Sequence, residues 1–552
     1  MRAFALSSSV CVKFASMRKV LTAAEMREVD RLTIQQTGIS SAVLMETAAN
    51  AVVREILRLF NQNISGKRFA ILCGKGNNGG DGLAVARLLY LLGGQCRVFL
   101  LFPPDEFSPD ARANYHILHN LTAEDSPFGG RIGIERLSVN NKPVDIFESA
   151  DCIIDAIFGT GLTKPISGFA ASLSEREREI FKRNRRPAVL SIDVPSGLSA
   201  ERTESADEAF IADLTVTFTS PKPENVIAPF YRNNGKLVIA DIGSPNKLIE
   251  KQSSKVFLLE ASDAVQWLKS SEYTYDSYKN RRGHLAIIAG SAEYSGAAVL
   301  AATAAMRSGV GLVTLFVPEG ISGKVAPRLL PEIIIKTLPD NGSGGFASSA
   351  AELFLAESDK FEAVAVGCGL GLDSETKVFV KKLLSELKIP VIVDADALNA
   401  FAPLEDASVI NAKTAVRILT PHEGEFRRLS GIEGHLRDRI AAVGDFAMRN
   451  SVILVLKGER VLIGTADGRI FVNPTGNSGL GKAGNGDTLT GLLGGFIAQA
   501  AALGLDPAET TAAAVYFAGT AGDIAQQKYG KRVMTASDVR DAFTDAFRKF
   551  SN

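Results

Sequence analysis

The stretch RFAILCGKGNNGGDGLAVARLLYLLGGQCRVFLLF, residues 68–102, restricts the fold of this chain more than any other. An apolar run of strand length enters a glycine-rich segment, a helical pattern closed by glycine follows, and a second apolar strand comes next. Strand, helix and strand make a βαβ unit, and a parallel sheet of such units binds ligands at the carboxyl ends of its strands. DCIIDAIFGTG, residues 151–161, and AVLSIDVPSG, residues 188–197, repeat the pattern of an apolar strand ending in Asp and a Gly/Ser turn. Asp81, Asp155 and Asp193 are therefore expected on one rim.

Five glycines and two asparagines between Cys73 and Gly82 give the backbone freedom to turn tightly and to aim N–H groups at an anion. The spacing is neither Walker A, since no GK[ST] closes it, nor GxGxxG, since asparagines replace the small positions. Asparagine carbonyls, carboxylates and hydroxyls are hard oxygen ligands that suit an alkali or alkaline-earth cation. Such a cation would let acids and phosphates share one site.

In the second half HLAIIAGS, GLVTLFVP, FEAVAVGCGLG, IPVIVDADALNAF, AVRILTPHEGEF and SVILVLKGE alternate with helical stretches in the same way. It too is expected to be α/β with a mostly parallel sheet. Its chemistry concentrates in GKAGNGDTLTGLLGGFIAQ, which starts at Gly481. A glycine loop opens a long apolar helix there, so the N–H groups from Gly484 to Asp487 should face an anion at the positive helix end. The Asp487 carboxylate beside them can take a proton from an attacking hydroxyl.

At 552 residues the chain is long enough for two to four domains of ~100–200 residues each. Lys+Arg and Asp+Glu are both 61, which gives no basic surplus for nucleic acid or an anionic membrane. No uninterrupted apolar segment reaches the ~18–20 residues needed to span a bilayer. The five cysteines show no CxxC spacing, a pattern that fits a reducing compartment and neither a disulfide framework nor a zinc site. Residues 1–17 are expected to be a disordered leader; an over-extended start before Met17 or a targeting segment are the other readings. The segment 244–277 contains PNKLIEKQSSK and reads as a polar linker and lead-in between domains at 18–243 and 278–552.

GNNGGDG, DAIFGTG and DVPSG, with LMETAA ahead of them, resemble the NAD(P)H-hydrate epimerase family, which implies a Rossmann-like three-layer α/β/α domain. The resemblance implies a nicotinamide cofactor hydrated across C5–C6 as substrate, inverted at C6 between R and S, and a potassium ion. On this pattern Asn77, Asn78, Gly79, Gly80 and Asp81 would hold substrate, as would Gly159, Thr160, Gly161, Leu162, Thr163, Lys164, Pro165 and Asp193. Asn78, Asp155 and Ser196 would ligate the potassium, with Asp155 central to catalysis.

GNGD before an apolar helix resembles the ribokinase-like superfamily, a second three-layer α/β/α fold. With YSGA, VGCGLG, VDADALNAF, LTPHEGEF and NPTGN it resembles the ADP- or ATP-dependent NAD(P)H-hydrate dehydratases. The implied reaction is phosphorylation of the C6 hydroxyl of the S hydrate and loss of phosphate, with Asp487 as catalytic base. Ala297, Gly369, His422 and Asp487 would face the hydrate. Lys457, Gly458, Glu459, Arg460, Val461 and Gly486 would face the ADP or ATP. Magnesium is expected in this half; Asp394 and Asp396 read equally as a metal pair on one strand face or as helix caps. Cys368 stands where proline is usual, and Lys482 where a small or hydroxyl residue is common, with a phosphate contact open to it. The whole is expected to be a cytoplasmic homo-oligomeric repair enzyme acting on small molecules, without nucleic-acid or membrane partners. The rival reading is a small-molecule kinase fused to a nucleotide-binding module.

Overall fold

The computed structural model describes residues 17–122, 132–137, 149–161, 166, 169–183, 186–199, 208–406, 410, 415–434, 436 and 438–551. The leader therefore lies outside the described residues, apart from Met17, as do Leu162 to Pro165. The chain forms two compact units, one of Lys19–Ser254 and the other of Lys255–Asn552 with the residues up to Arg18. Among the described residues no helix is long and apolar enough to cross a membrane.

After a two-residue strand β1 (Arg18–Lys19), the first unit contains β2 (Arg68–Cys73), β3 (Gln95–Leu100), β4 (Gly133–Arg136), β5 (Cys152–Ala156), β6 (Ala188–Ile192), β7 (Leu214–Phe218) and β8 (Lys236–Ala240). They make a seven-stranded sheet in the order β4-β3-β2-β5-β6-β7-β8, parallel throughout. Phe69, Ile71 and Cys73 enter one core with the helices Ser41–Leu59 and Asn77–Leu91, while Ala70 and Leu72 enter another with Leu173 and Ile180. Both faces of the sheet are thus covered, as the continuous apolar strands require. Strand order reverses between β2 and β5, so a crevice opens at their carboxyl ends, where the GNNGGD and DAIFG segments begin.

The expected loop at Cys73–Gly82 is only partly a loop. Helix starts at Asn77, with Gly76 as its N-cap, so NNGGDG forms its first turns. None of Gly74, Gly76, Gly79, Gly80 and Gly82 has positive φ. Close approach explains most of them instead. A Cβ at Gly79 would lie 1.9 Å from the Gly74 carbonyl oxygen, and one at Gly82 would lie 2.5 Å from the Ala156 Cβ. Gly79→Ala is accordingly expected to destabilise the chain by ~1–3 kcal/mol through overpacking. Gly161→Ala, where a Cβ meets nothing within 4 Å, should stay within about 0.5 kcal/mol of wild type. Thermal melts of the two variants check this.

The second unit holds β9 (Val256–Leu258), β10 (His284–Ile288), β11 (Leu312–Pro318), β12 (Ile334–Leu338), β13 (Ala363–Val366), β14 (Val391–Val393), β15 (Arg417–Leu419), β16 (Ile453–Leu456), β17 (Leu462–Gly464) and β18 (Ile470–Val472). Their order is β9-β18-β17-β16-β15-β14-β13-β10-β11-β12, and only the β16–β17 and β17–β18 pairs are antiparallel. Here the order reverses between β10 and β13, which places AGS and GCGLG at the second switch point. The helix Asn485–Leu503 covers these strands: a Cβ at Gly494 would meet Leu285 and Ala365, and one at Gly491 would lie 2.0 Å from the Ala301 carbonyl oxygen.

The stretch read as a linker is largely ordered. It contains helices Asn246–Glu250 and Ala261–Ser270 and strand β9. Leu259, Ala264 and Trp267 join the second unit's core, where Trp267 stacks on Phe496 at 3.9 Å. Polar composition between 244 and 255 hid the short apolar strand that follows.

Candidate active sites

In the first unit Asp155 ends β5 fully buried. Its Oδ1 accepts from the Ser196 hydroxyl at 2.5 Å and the Ile157 N–H at 3.3 Å. Its Oδ2 accepts from the Ser196 N–H at 2.8 Å and the Ser191 hydroxyl at 3.0 Å. Burial pushes the Asp155 carboxyl above its ordinary pKa, and these four donors oppose the shift. The Ser196 hydroxyl also accepts from the Phe158 N–H at 2.9 Å, which ties the β6 loop to the DAIFG loop.

Asn78 lies beside the Gly159 turn. Both its side-chain oxygen and its nitrogen are buried without a hydrogen-bond partner, although buried polar groups are rarely left unpaired. A Cβ at Gly159 would sit 3.4 Å from Asn78 Cγ and 3.2 Å from Asp193 Oδ2, so these three residues converge. Asp81, one helical turn beyond Asn78, is nearly buried, and burial with Asp193, Asp30 and Asp110 raises its pKa well above the ordinary value. The unpartnered Asn78 amide thus lies where the Gly159 turn and Asp193 converge. Among the described residues no group of three or more His, Cys, Asp or Glu is placed to hold a metal ion.

In the second unit Asp487 lies in the first turn of the helix Asn485–Leu503, whose N-cap Gly484 has φ +90° and no side-chain cap. The amides of Gly486 and Asp487 therefore stand at the positive helix end without intrahelical acceptors. Burial, with Asp394 and Asp396 nearby, pushes the Asp487 carboxyl up to about 6, while the Cys368 thiol, hydrogen bonded to it, acts the other way. Asp394 Oδ1 accepts from Lys457 Nζ at 2.7 Å and Oδ2 from the Thr490 hydroxyl at 2.7 Å. Lys457 Nζ is also 3.8 Å from Glu425, and a Cβ at Gly486 would lie 3.6 Å from it. An ammonium, two free amides and a carboxyl of raised pKa thus meet where the glycine loop enters the helix.

Residues 285–545 match the family described as NAD(P)H-hydrate dehydratase, and residues 41–224 that described as YjeF-related protein N-terminus. The Bifunctional NAD(P)H-hydrate repair enzyme Nnr of Moorella thermoacetica is 38% identical over 525 residues, which cover 95% of each chain. The chain belongs to the bifunctional NAD(P)H-hydrate repair enzymes. The Salinibacter ruber enzyme of the same name is 35% identical over 533 residues, again with 95% of each chain covered. Among solved structures, the ADP/ATP-dependent NAD(P)H-hydrate dehydratase of Bacillus subtilis, co-crystallized with ATP and Mg2+, is 31% identical with a TM-score of 0.44. The match covers 50% of this chain and 94% of that one.

In this repair enzyme the expected site residues, Leu162 to Pro165 apart, can be placed on the fold. Asn77 to Asp81, Asp155, Gly159, Thr160, Gly161, Asp193 and Ser196 all belong to the segments that open from β2, β5 and β6. Ala297 lies against Gly369, whose φ is +64° and whose added Cβ would be 2.9 Å from it. His422 is the N-cap of the helix Glu423–Ser430: its Nδ1 accepts from the Glu425 N–H at 3.2 Å, in a capping box with Glu425. Lys457 bridges to His422 in a parallel β-bridge. Beyond it, Gly458 and Arg460 have φ +141° and +52°, the Glu459 carbonyl accepts from Arg439, and Val461 packs against the core.

Two expectations change in the repair enzyme. Lys482 donates to the carbonyls of Arg532 and Met534 at 2.5 and 2.9 Å, so it braces the loop and is not turned toward a phosphate. Asp394 and Asp396 do not share a strand face, because β14 stops at Val393. Asp394 is the cap position of the next helix but spends its carboxylate on Lys457 and Thr490, and Asp396 accepts from the Gly371 N–H at 3.0 Å. Lys222, which sequence reasoning passed over, pairs with Asp193 Oδ1 at 2.6 Å. A single lysine in SPKPENV carries no local signal for that contact. The cysteines follow expectation: the four among the described residues are free and buried, and burial pushes the Cys73 thiol upward, away from nucleophile duty.

Proposed function

We propose that the chain returns hydrated NADH and NADPH to use in two steps. The first unit interconverts the R and S forms at C6, and the second dehydrates the S form at the expense of ADP or ATP. The observation that carries this reading is a buried carboxylate site at the switch point of each sheet in a chain 38% identical to a bifunctional repair enzyme over 95% of its length.

In the second unit the C6 hydroxyl is a poor leaving group, so it must first become a phosphate ester. Asp487 takes the hydroxyl proton as the oxygen attacks the terminal phosphorus of the nucleotide, and the amides of Gly486 and Asp487 receive the charge of the phosphoryl oxygens. Lys457, beside Gly486, adds a positive charge to the same place. Loss of the phosphate and of the C5 proton then restores the C5–C6 double bond. Magnesium, held through the nucleotide phosphates beside Asp394, Asp396 and Asp487, would neutralise phosphate charge when bound. Ala297, Gly369 and His422 would bound the hydrate.

In the first unit Asn78, Asp155 and Ser196 would hold potassium, which would offset the acids so that substrate phosphates can approach. The unpartnered Asn78 amide supports this. The free, buried cysteines support a reducing compartment, the cytoplasm.

The test is incubation of purified protein with mixed R and S hydrates and either ADP or ATP, followed by reduced-nicotinamide absorbance. Complete consumption of both epimers is expected, faster with ADP, which should yield AMP. Consumption of the S fraction alone would remove the epimerase assignment. Persistence of both epimers with either nucleotide would remove the repair reading.

A further inference from the structure

Lys222 is 2% exposed, and a buried lysine normally persists only where its charge is paired. All three of its N–H bonds are used. Nζ donates to Asp193 Oδ1 at 2.6 Å, to the Thr217 hydroxyl at 2.9 Å and to the Phe218 carbonyl at 3.0 Å. The Thr217 hydroxyl donates in turn to the same Asp193 oxygen at 2.9 Å. Asn225 holds the Asp193 carbonyl at 3.1 Å, and Asp193 itself has φ +67°, a conformation an aspartate adopts at a cost. Two hydrogen bonds, from the Lys222 ammonium and the Thr217 hydroxyl, together with a strained backbone thus fix one oxygen of one carboxylate. Oδ2 is the other oxygen, and it takes no hydrogen bond among the described residues. It faces the Gly159 turn beside the unpartnered Asn78 amide, 3.2 Å from where a Gly159 Cβ would be.

We propose that Lys222 is a positioning residue for epimerisation: by anchoring Asp193 Oδ1 it turns Oδ2 toward the substrate, where Asp193 exchanges a proton with the oxygen borne by C6. The inference rests on the epimerase reading of the first unit. C6 carries both a hydroxyl and the ring nitrogen. The C–O bond breaks as the nitrogen lone pair forms a C=N bond, and the oxygen takes a proton from Oδ2 and leaves as water. Water then adds to the opposite face, the C=N electrons return to nitrogen, and Oδ2 takes the released proton. No oxidant or reductant is needed, and atoms balance because one water leaves and one returns. Lys222 cannot supply the proton itself, since each of its three is committed. Asp30 and Asp81 lie near enough to feel both Asp193 and Lys222, so the one ammonium also offsets charge around the site.

The test compares Lys222→Met, Asp193→Asn and the double variant in the full chain, with a thermal melt of each as the control for folding of the first unit and S-hydrate dehydration as the control for the second. R-to-S kcat should fall roughly 10²-fold in each single variant, with KM for the R hydrate changed less than about threefold. The double variant should be no slower than Asp193→Asn, because residues acting as one unit are not additive. Where Lys222→Met does not fold, the double variant, which leaves no charge unpaired, carries the comparison. A Lys222→Met kcat within about twofold of wild type overturns the proposal, as does a double variant that loses the product of the two single effects. If wild type itself leaves the R hydrate unconverted, the epimerase reading fails instead.

Discussion

Asp487→Asn is expected to slow dehydration of pure S hydrate by roughly 10²–10⁴-fold while R-to-S interconversion continues at the wild-type rate. The substitution keeps the shape and the helix position of the side chain but cannot accept the hydroxyl proton. In the wild type the carboxyl is pushed up to about 6 by burial and the neighbouring Asp394, which places the base near its working pH. Since the ionised form acts, kcat/KM for the S hydrate should hold level above pH 6 and fall about tenfold per unit below it. Stability should respond with the opposite preference. A carboxyl harder to ionise when folded opposes folding as pH rises through its folded pKa, and contributes nothing adverse below its unfolded value near pH 3.8. The asparagine variant is therefore expected to melt higher than wild type at neutral pH, with the gap closing toward pH 4. Undiminished NADH recovery from S hydrate would remove Asp487 from the chemistry.

Asp155→Ala should abolish R-to-S conversion, with S-hydrate dehydration preserved. Four donors converge on this carboxylate inside the first unit. Removing it strands the Ser196 and Ile157 amides, at a cost of about 1–3 kcal/mol for each unsatisfied group. The readout is an R-rich hydrate mixture with donor nucleotide. Wild type should approach full conversion, whereas the variant should stall at the starting S fraction plus slow spontaneous epimerisation. Asp155→Asn separates chemistry from folding, because it keeps the volume and an acceptor oxygen but not the charge. Rapid, complete conversion by the alanine variant would make the acid at the end of DCIID a purely structural group.

Much of both sites can be read along the chain because short-range pattern encodes it. Apolar runs of strand length ending in Asp and Gly locate β2, β5 and β6. Thr22 and Glu25, three positions apart as a capping box requires, form one at the head of the helix Ala23–Thr37. Glycines mislead in one respect. Those of GNNGGDG suggest a flexible anion loop, yet the segment is helix and its glycines admit the Gly74 and Ala156 backbone and side-chain atoms at distances no Cβ allows. Composition cannot separate glycine needed for positive φ from glycine needed for close approach. His422 shows a related ambiguity: the motif marks it as a ligand, and its ring nitrogen caps a helix.

Local pattern is sufficient for the two α/β units, the strands that end in acids, the GNGD helix start and, through these motifs, the repair-enzyme family. Periodicity and turn chemistry act over a few residues, so they survive in a linear text. Which charges meet is settled in three dimensions alone. Lys222 finds Asp193 across 29 positions, Lys457 finds Asp394 across 63, and Thr490 reaches that same carboxylate across 96. Such pairs form because parallel strands bring distant carboxyl ends to one rim, where burial makes an unpaired charge too costly to keep. The lysine that fixes Asp193 leaves no trace in its own neighbourhood, since the carboxylate that requires it stands on a different loop.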